Sequence, residues 1–209
     1  QDPPLFADVR RASVGNLAAQ YGVDHRHVDH VEKLALEVWD ALAQAGAHPG
    51  DPEERDLLAA AAQLHDIGAS IDYDDHHKHS RYLVLSAGLP GFSPRETALI
   101  GQMCRYHRKG TPTLGEMEPL ARKGDEELLT RSAAVLRLAE QLERSRDQAV
   151  DGVEVEVADG TATLTLVAHE DVTIARWAAE RQADVFERAF GLELAVAGAS
   201  PARPAAGRR

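Results

Sequence analysis

The chain is 209 residues long and 44% hydrophobic, enough to bury the core of one large domain, but only 5% aromatic, so small and aliphatic side chains carry the packing. Its 34 acidic and 23 basic side chains leave a formal net charge of -11, which argues against a general nucleic-acid partner and confines any polyanion site to a local basic patch. A single cysteine, Cys104, excludes a disulfide framework or a thiolate metal site and suits a reducing, cytoplasmic setting. No apolar run is long enough to span a membrane. The chain opens on Gln1 without a signal-like start, as expected of a processed chain or a piece of a longer one.

In chain order, Leu5 to Tyr21 reads as a helix, and Asp24 can cap a second that runs to about Gly46 through Val31, Leu34, Val38 and Leu42. His48-Pro-Gly-Asp-Pro52 is a loop. Glu53 to Ile67 is an Ala-rich helix whose run Ala59 to Ala62 lets neighbours approach closely. Gly68 suits a left-handed helix end. His76 to Ser86 is the next helix, and Ser93-Pro94-Arg95-Glu96 is a capping box that starts another, running to about His107. Gly110 to Pro119 is a loop, followed by a long amphipathic helix from Asp125 to Arg146. The pattern then changes. Val153, Val155 and Val157 alternate with acidic residues, and Leu164 and Leu166 alternate with Thr around Asp159-Gly160, which predicts a β-hairpin. Val172 to Phe190 reads as one helix and Leu192 to Val196 as a returning strand. The fold class is therefore mainly α: a helical domain over 1–148, a small β-β-α-β appendage over 149–198 and a disordered tail over 199–209.

The chemistry gathers around histidines, of which there are 10. The adjacent pair His65-Asp66 closes the Ala-rich helix, and imidazole and carboxylate are ordinary ligands for divalent metals. His27 shares the apolar stripe of the second helix and points toward the core; the alternative is a hydrogen-bonded core histidine. His107 closes an apolar helix face on its inward side. In the run His76-His77-Lys78-His79, His76 and His79 share a helix face, and His79 is taken as the ligand. Glu140 and Glu143 lie at the edge of the long helix's apolar stripe, where either adds a carboxylate or simply faces solvent. Together His27, His65, Asp66, His79, His107 and a late acidic residue, Glu140 first, form the candidate metal set, drawn from separate helices onto one pocket. Arg105, Arg108 and Lys109 beside His107 suit phosphate, or serve the helix dipole. There is no Gly-rich phosphate loop and no G-x-S-x-G elbow, and Cys104 reads as core.

The order His27, His65-Asp66, late acidic residue resembles the HD superfamily of metal-dependent phosphohydrolases. The segments AAQLHDIGASIDYDDHHKHSRYLVLSAGLPGFSPRE, RYHRKGTP and LRLAEQLERSR are closer to one branch: the C-terminal helical module of the exopolyphosphatase/guanosine pentaphosphate phosphohydrolase family, over about Ser13 to Leu194. Where the HD pattern ends in Ala-Asp, this chain has Ala139-Glu140, which moves the carboxylate by more than about an ångström, within the reach of hard-cation binding. The resemblance implies an HD-like bundle that serves as an accessory module. Hydrolysis in this family belongs to N-terminal actin-like domains, and the C-terminal module is credited with binding long polyphosphate and with dimer contacts. It makes Lys78, Arg81, Arg105, Arg108 and Lys109 the expected phosphate-binding cations. The expected partners are polyphosphate or a phosphorylated nucleotide, the actin-like domains and a second copy of the chain, and the expected cofactor is a divalent ion (Mn, Mg, Fe or Zn). The alternative is an autonomous metal-dependent HD phosphohydrolase.

Overall fold

The computed structural model describes residues 4–200, with side chains described over 9–198. Six helices form the bundle: α1 (Pro4–Gln20), α2 (His25–Gln44), α3 (Pro52–Leu64), α4 (His76–Ala87), α5 (Pro94–Tyr106) and α6 (Asp125–Leu142). A small appendage follows: β1 (Gly152–Ala158), β2 (Thr161–Val167), α7 (Thr173–Glu180), α8 (Ala183–Phe190) and β3 (Glu193–Ser200). The mainly α fold with a small mixed appendage is as the sequence predicts. The predicted tail lies, beyond Ser200, outside the described residues. No described helix is long and apolar enough to cross a membrane.

Three of the helices, α2, α3 and α5, start where the sequence provides a side-chain cap. The Asp24 carboxylate accepts from the His27 backbone N–H at 3.4 Å, and α2 buries His27, Val31, Leu34, Val38 and Leu42 on one stripe. The Asp51 carboxylate caps α3, with Pro52 in its first turn. Ala60, Ala61 and Ala62 are buried, and their lack of bulk lets α3 pack against α1, α2, α5 and α6 at once. The Ser93–Glu96 capping box opens α5 as predicted. Asp159 and Gly160 both have positive φ, 49° and 79°, the conformation a two-residue hairpin turn requires. β1 pairs antiparallel with β2, and β2 runs parallel to β3. A single core joins bundle and appendage, from Leu17 and Trp39 through Leu136 to Leu164 and Phe186.

Three predictions need correction. The helix predicted over 172–190 is two helices, α7 and α8, with a turn at Arg181–Gln182; the bend turns Ala175 and Ala179 on one side and Phe186 on the other onto α6 and β3. The Gly110 to Pro119 loop contains the start of a 3-10 helix, Gly115–Leu120. Gly68 is not left-handed. It lies within a 3-10 turn, Ile67–Ser70, and is needed for closeness rather than for φ.

Arg95 fastens three helix starts together. Its guanidinium donates to Asp125 at the head of α6, at 2.9 Å, and to Glu53 at the head of α3, at 3.0 Å. Asp125 also accepts from the Arg122 N–H at 2.7 Å. Burial opposes the Asp125 charge, but Arg95 and the Arg122 N–H outweigh it and hold the carboxyl below its usual range. A lowered folded pKa gives stability that is present above the unfolded value of about 3.9 and lost as pH falls through the folded value. Asp125→Asn is therefore expected to cost about 1.5–3 kcal/mol near neutral pH, with the gap to the parent closing in strong acid. Urea midpoints measured across that range check it; a gap that does not vary with pH would contradict the assignment.

Candidate functional site: five helix ends around Asp66

The ends of five helices meet at one buried point. His27 lies in the first turn of α2, His65 and Asp66 directly follow α3, His76 is the first residue of α4, His107 directly follows α5, and Glu140 lies in the last turn of α6. Ends converge here because their backbones can hold side chains in place. The Nδ1 atoms of His65, His76 and His107 face the carbonyl oxygens of Ala62, Tyr73 and Cys104 at 2.6, 2.7 and 2.7 Å, each three residues earlier. A carbonyl only accepts, so each Nδ1 carries a hydrogen and each Nε2 points into the pocket. A backbone partner that fixes the tautomer in this way is characteristic of metal-ligating histidines.

Two groups share the pocket. On one side, His27 Nε2 and His65 Nε2 lie 3.0 and 3.2 Å from the same oxygen of Glu140. On the other, His76 Nε2 lies 3.0 Å from His107 Nε2 and 3.3 Å from Asp66 Oδ1. Asp66 stands between them, 3.8 Å from His27 and 3.7 Å from His65, and its Oδ2 accepts from Arg146 at 2.6 Å. Burial opposes charge on His65, but Asp66 and Glu140 outweigh it and raise its pKa to about 9. Burial, then the charge of His65, pushes His107 down to about 3. Burial also opposes charge on Asp66 and Glu140, yet both are held below the usual carboxylate range, Asp66 chiefly by His65 and Glu140 by hydrogen bonds from His27 and His65.

The residues fit a divalent cation. Ligands at about 2.0–2.1 Å from a tetrahedral ion stand about 3.3–3.4 Å apart; His76 Nε2 is already 3.0 Å from His107 Nε2 and 3.3 Å from Asp66 Oδ1, and the three donors all lie within 4.8 Å of one another. When His76 is neutral, two bare Nε2 lone pairs face each other across 3.0 Å, an arrangement that a cation between them relieves. His27, His65 and Asp66 form a second group of metal-ligand geometry that shares Asp66 with the first.

Five of the six predicted metal residues come together: His27, His65, Asp66, His107 and Glu140. His79 does not. One turn along α4 from His76, it packs its Cβ against Gly68, and His76 takes the place in the pocket. Glu140 rather than Glu143 faces the cluster. Glu143 is buried beside His30, 3.7 Å away, and burial raises its pKa to about 7.

The predicted cations fall in two places and have mixed attachments. Lys78 and Lys109 both reach Asp75, at 2.8 and 3.9 Å. Arg108 donates to the Asp74 carbonyl at 2.9 Å and lies over the Tyr73 ring, which itself packs against His76. Arg105 lies beside Tyr106 and, with Arg81, lines a shallow groove; Arg81 pairs there with the exposed Glu116 at 2.8 Å. Sequence reasoning missed Arg146. It lies beyond the end of α6 in left-handed backbone, φ 56°, where no periodicity marks it. It also missed Arg137, a buried residue of α6 whose guanidinium binds the Tyr106 and Gly110 carbonyls and so fixes the loop carrying His107 and Arg108.

Comparison with known proteins now places the chain. The family model described as Ppx/GppA phosphatase, domain III, matches residues 9–182. The guanosine-5'-triphosphate,3'-diphosphate pyrophosphatase of Vibrio vulnificus (strain YJ016) is 31% identical over 144 residues, 69% of this chain and 28% of that protein. Its counterpart in Vibrio atlanticus (strain LGP32) is 30% identical over 162 residues, 76% of this chain and 31% of that protein. The chain thus spans about three-tenths of the length of these relatives. It belongs to the Ppx/GppA phosphatase family, as an accessory C-terminal module corresponding to domain III.

Proposed function

We propose that this module binds polyphosphate or a phosphorylated nucleotide at the mouth of the Asp66 pocket, with a divalent ion (Mn, Mg, Fe or Zn) held by the cluster. The convergence of imidazoles and carboxylates on Asp66, three of the rings fixed by backbone carbonyls, carries this reading. The predicted surface cations supply the rest of the charge. Lys78, Arg81 and Lys109 are tied up only in surface ion pairs, which are worth about 0–1 kcal/mol and yield easily to a phosphate. Arg108 adds a forked donor at Tyr73. A guanosine phosphate of the kind named for the Vibrio relatives is one candidate ligand. Assembly with actin-like catalytic domains, a homodimer and a cytoplasmic setting are proposed on the family resemblance, the last also on the buried free thiol of Cys104.

Polyphosphate titrated into the metal-loaded chain at several salt concentrations tests the reading. Affinity is expected to fall steeply with salt. Replacing Arg105, Arg108 and Lys109 together by alanine is expected to weaken binding and to lower the salt slope by roughly one unit for each phosphate-binding cation removed, as for other polyanions. No binding at low salt would refute it.

A second reading, an autonomous HD-type phosphohydrolase, draws on the two donor groups sharing Asp66. A divalent ion there supplies Lewis acidity toward a phosphoryl oxygen. The chain's own contribution is to orient the phosphate with its surface cations and to keep the Glu140 carboxylate beside the His27 and His65 rings. Hydrolysis of a phosphoester by the isolated chain with added Mn, lost in Asp66→Asn, would establish it.

A further inference from the structure

The two donor groups around Asp66 are not equivalent, and Arg146 makes the difference. We infer that the chain holds one divalent ion, between Asp66, His76 and His107, and that the Arg146 guanidinium supplies the positive charge at the neighbouring position framed by His27, His65 and Asp66. This rests on the reading of the cluster as a metal centre and adds which position takes the ion.

The His27–His65 side is already satisfied by the protein. Glu140 accepts from both rings through one oxygen, at 3.0 and 3.2 Å, so their Nε2 atoms are engaged as donors. The Asp66 oxygen that reaches toward His27, Oδ2, is taken by Arg146 at 2.6 Å, while His27 itself stays 3.8 Å away. An ion on that side would displace two hydrogen bonds and lie against a guanidinium. On the other side, Asp66 Oδ1 is free of Arg146, and the two Nε2 atoms of His76 and His107 are 3.0 Å apart with both Nδ1 atoms committed to carbonyls.

The backbone supports a dedicated role for Arg146. Arg146 and Gln148 are both left-handed, φ 56° and 58°, an unfavourable conformation for residues other than glycine. The connector is held in it from α2. Arg26 and Gln148 exchange hydrogen bonds at 3.0 Å in both directions, the His30 ring binds the Val150 carbonyl at 2.8 Å, and Lys33 binds that of Asp151. The strained strap between bundle and sheet thus delivers one cation to one oxygen of the cluster. The longer Glu140 fits the same arrangement, since its carboxylate reaches far enough to bridge His27 and His65.

The test is titration of the metal-stripped chain with Mn2+ and with Zn2+, followed by metal analysis of the dialysed protein and melting curves with and without ion. One ion per chain is expected. His76→Gln and His107→Gln should each weaken binding by more than the roughly 10–100-fold that loss of a supporting partner costs. His27→Gln should weaken it by about 10-fold or less, as a supporting group does. Arg146→Gln, which frees Oδ2, should allow a second ion. If either ring variant is unfolded, the other, together with the ion-induced rise in melting temperature, gives the same readout. No ion on the parent chain would overturn both the metal-centre reading and this inference. Two ions on the parent, greater loss in His27→Gln than in His107→Gln, or an unchanged single ion in Arg146→Gln would overturn the inference alone.

Discussion

Gly68→Ala is expected to destabilise the module by about 3–5 kcal/mol, more than most overpacking substitutions, because the atoms in the way are main chain. A Cβ at Gly68 would overlap the His76 carbonyl oxygen and the Ser80 nitrogen, and would stand 2.8 Å from the His79 Cβ. None of these moves unless α4 moves as a whole. The Gly68 N–H donates to the Ser80 hydroxyl at 2.9 Å, and that hydroxyl donates to the His65 carbonyl at 2.6 Å, so the start of α4 is stitched to the turn after α3. The same stitch sets His76 beside Asp66. The loss is a large share of the roughly 5–15 kcal/mol by which domains of this kind are stable. Any folded remainder should hold His76 out of place and bind a divalent ion poorly. Urea denaturation followed by circular dichroism measures the first effect. A change below about 1 kcal/mol would show that α4 yields where the geometry says it cannot.

What the sequence reveals and what it hides divide along physical lines. His27, His107 and Glu140 lie within or directly beside helices whose apolar stripes are long enough to set a phase, so the inward side of each can be read off the 3.6-residue period. His65-Asp66 stands out as an adjacent ligand pair. The preference for His79 over His76 fails because the helix begins there. Both residues share a face and the apolar positions Leu83 and Val84 come a turn or more later, so a short stripe leaves the choice open; in the structure the stripe runs through His76, His77 and Ser80, and the Tyr73 carbonyl of the preceding turn holds the His76 ring. Arg146 is hidden because left-handed backbone carries no periodicity. The break at Arg181–Gln182 has neither Gly nor Pro to announce it. Gly68 is rightly singled out but for the wrong reason: sequence shows that a glycine is present, and only packing shows whether φ or proximity requires it.

Asp66→Asn should separate the charge of the cluster from its shape. The amide is nearly isosteric, so the surrounding core, to which its chain neighbours Leu64 and Ile67 belong, need not repack. Its two ends are no longer alike. Arg146 has only donors, so the carbonyl end of the new side chain must turn toward it, where the carboxylate now accepts at 2.6 Å. That leaves the amide N–H2 facing His76 Nε2, 3.3 Å from the present Oδ1, where it donates into the lone pair an ion would use. The variant therefore loses a ligand and blocks a second one. Affinity for Mn2+ or Zn2+ should fall by well over the roughly 100-fold upper range for a supporting residue, while stability changes by only about 1–2 kcal/mol as a hydrogen-bonded ion pair becomes a hydrogen bond with one charged partner. The two numbers must be measured together, by ion titration and by urea denaturation without metal. A variant that keeps its ion would remove Asp66 from the centre of the site. A variant that loses the ion by unfolding would instead make the carboxylate a structural counterion to Arg146, with the imidazoles around it packed for the fold rather than for a metal.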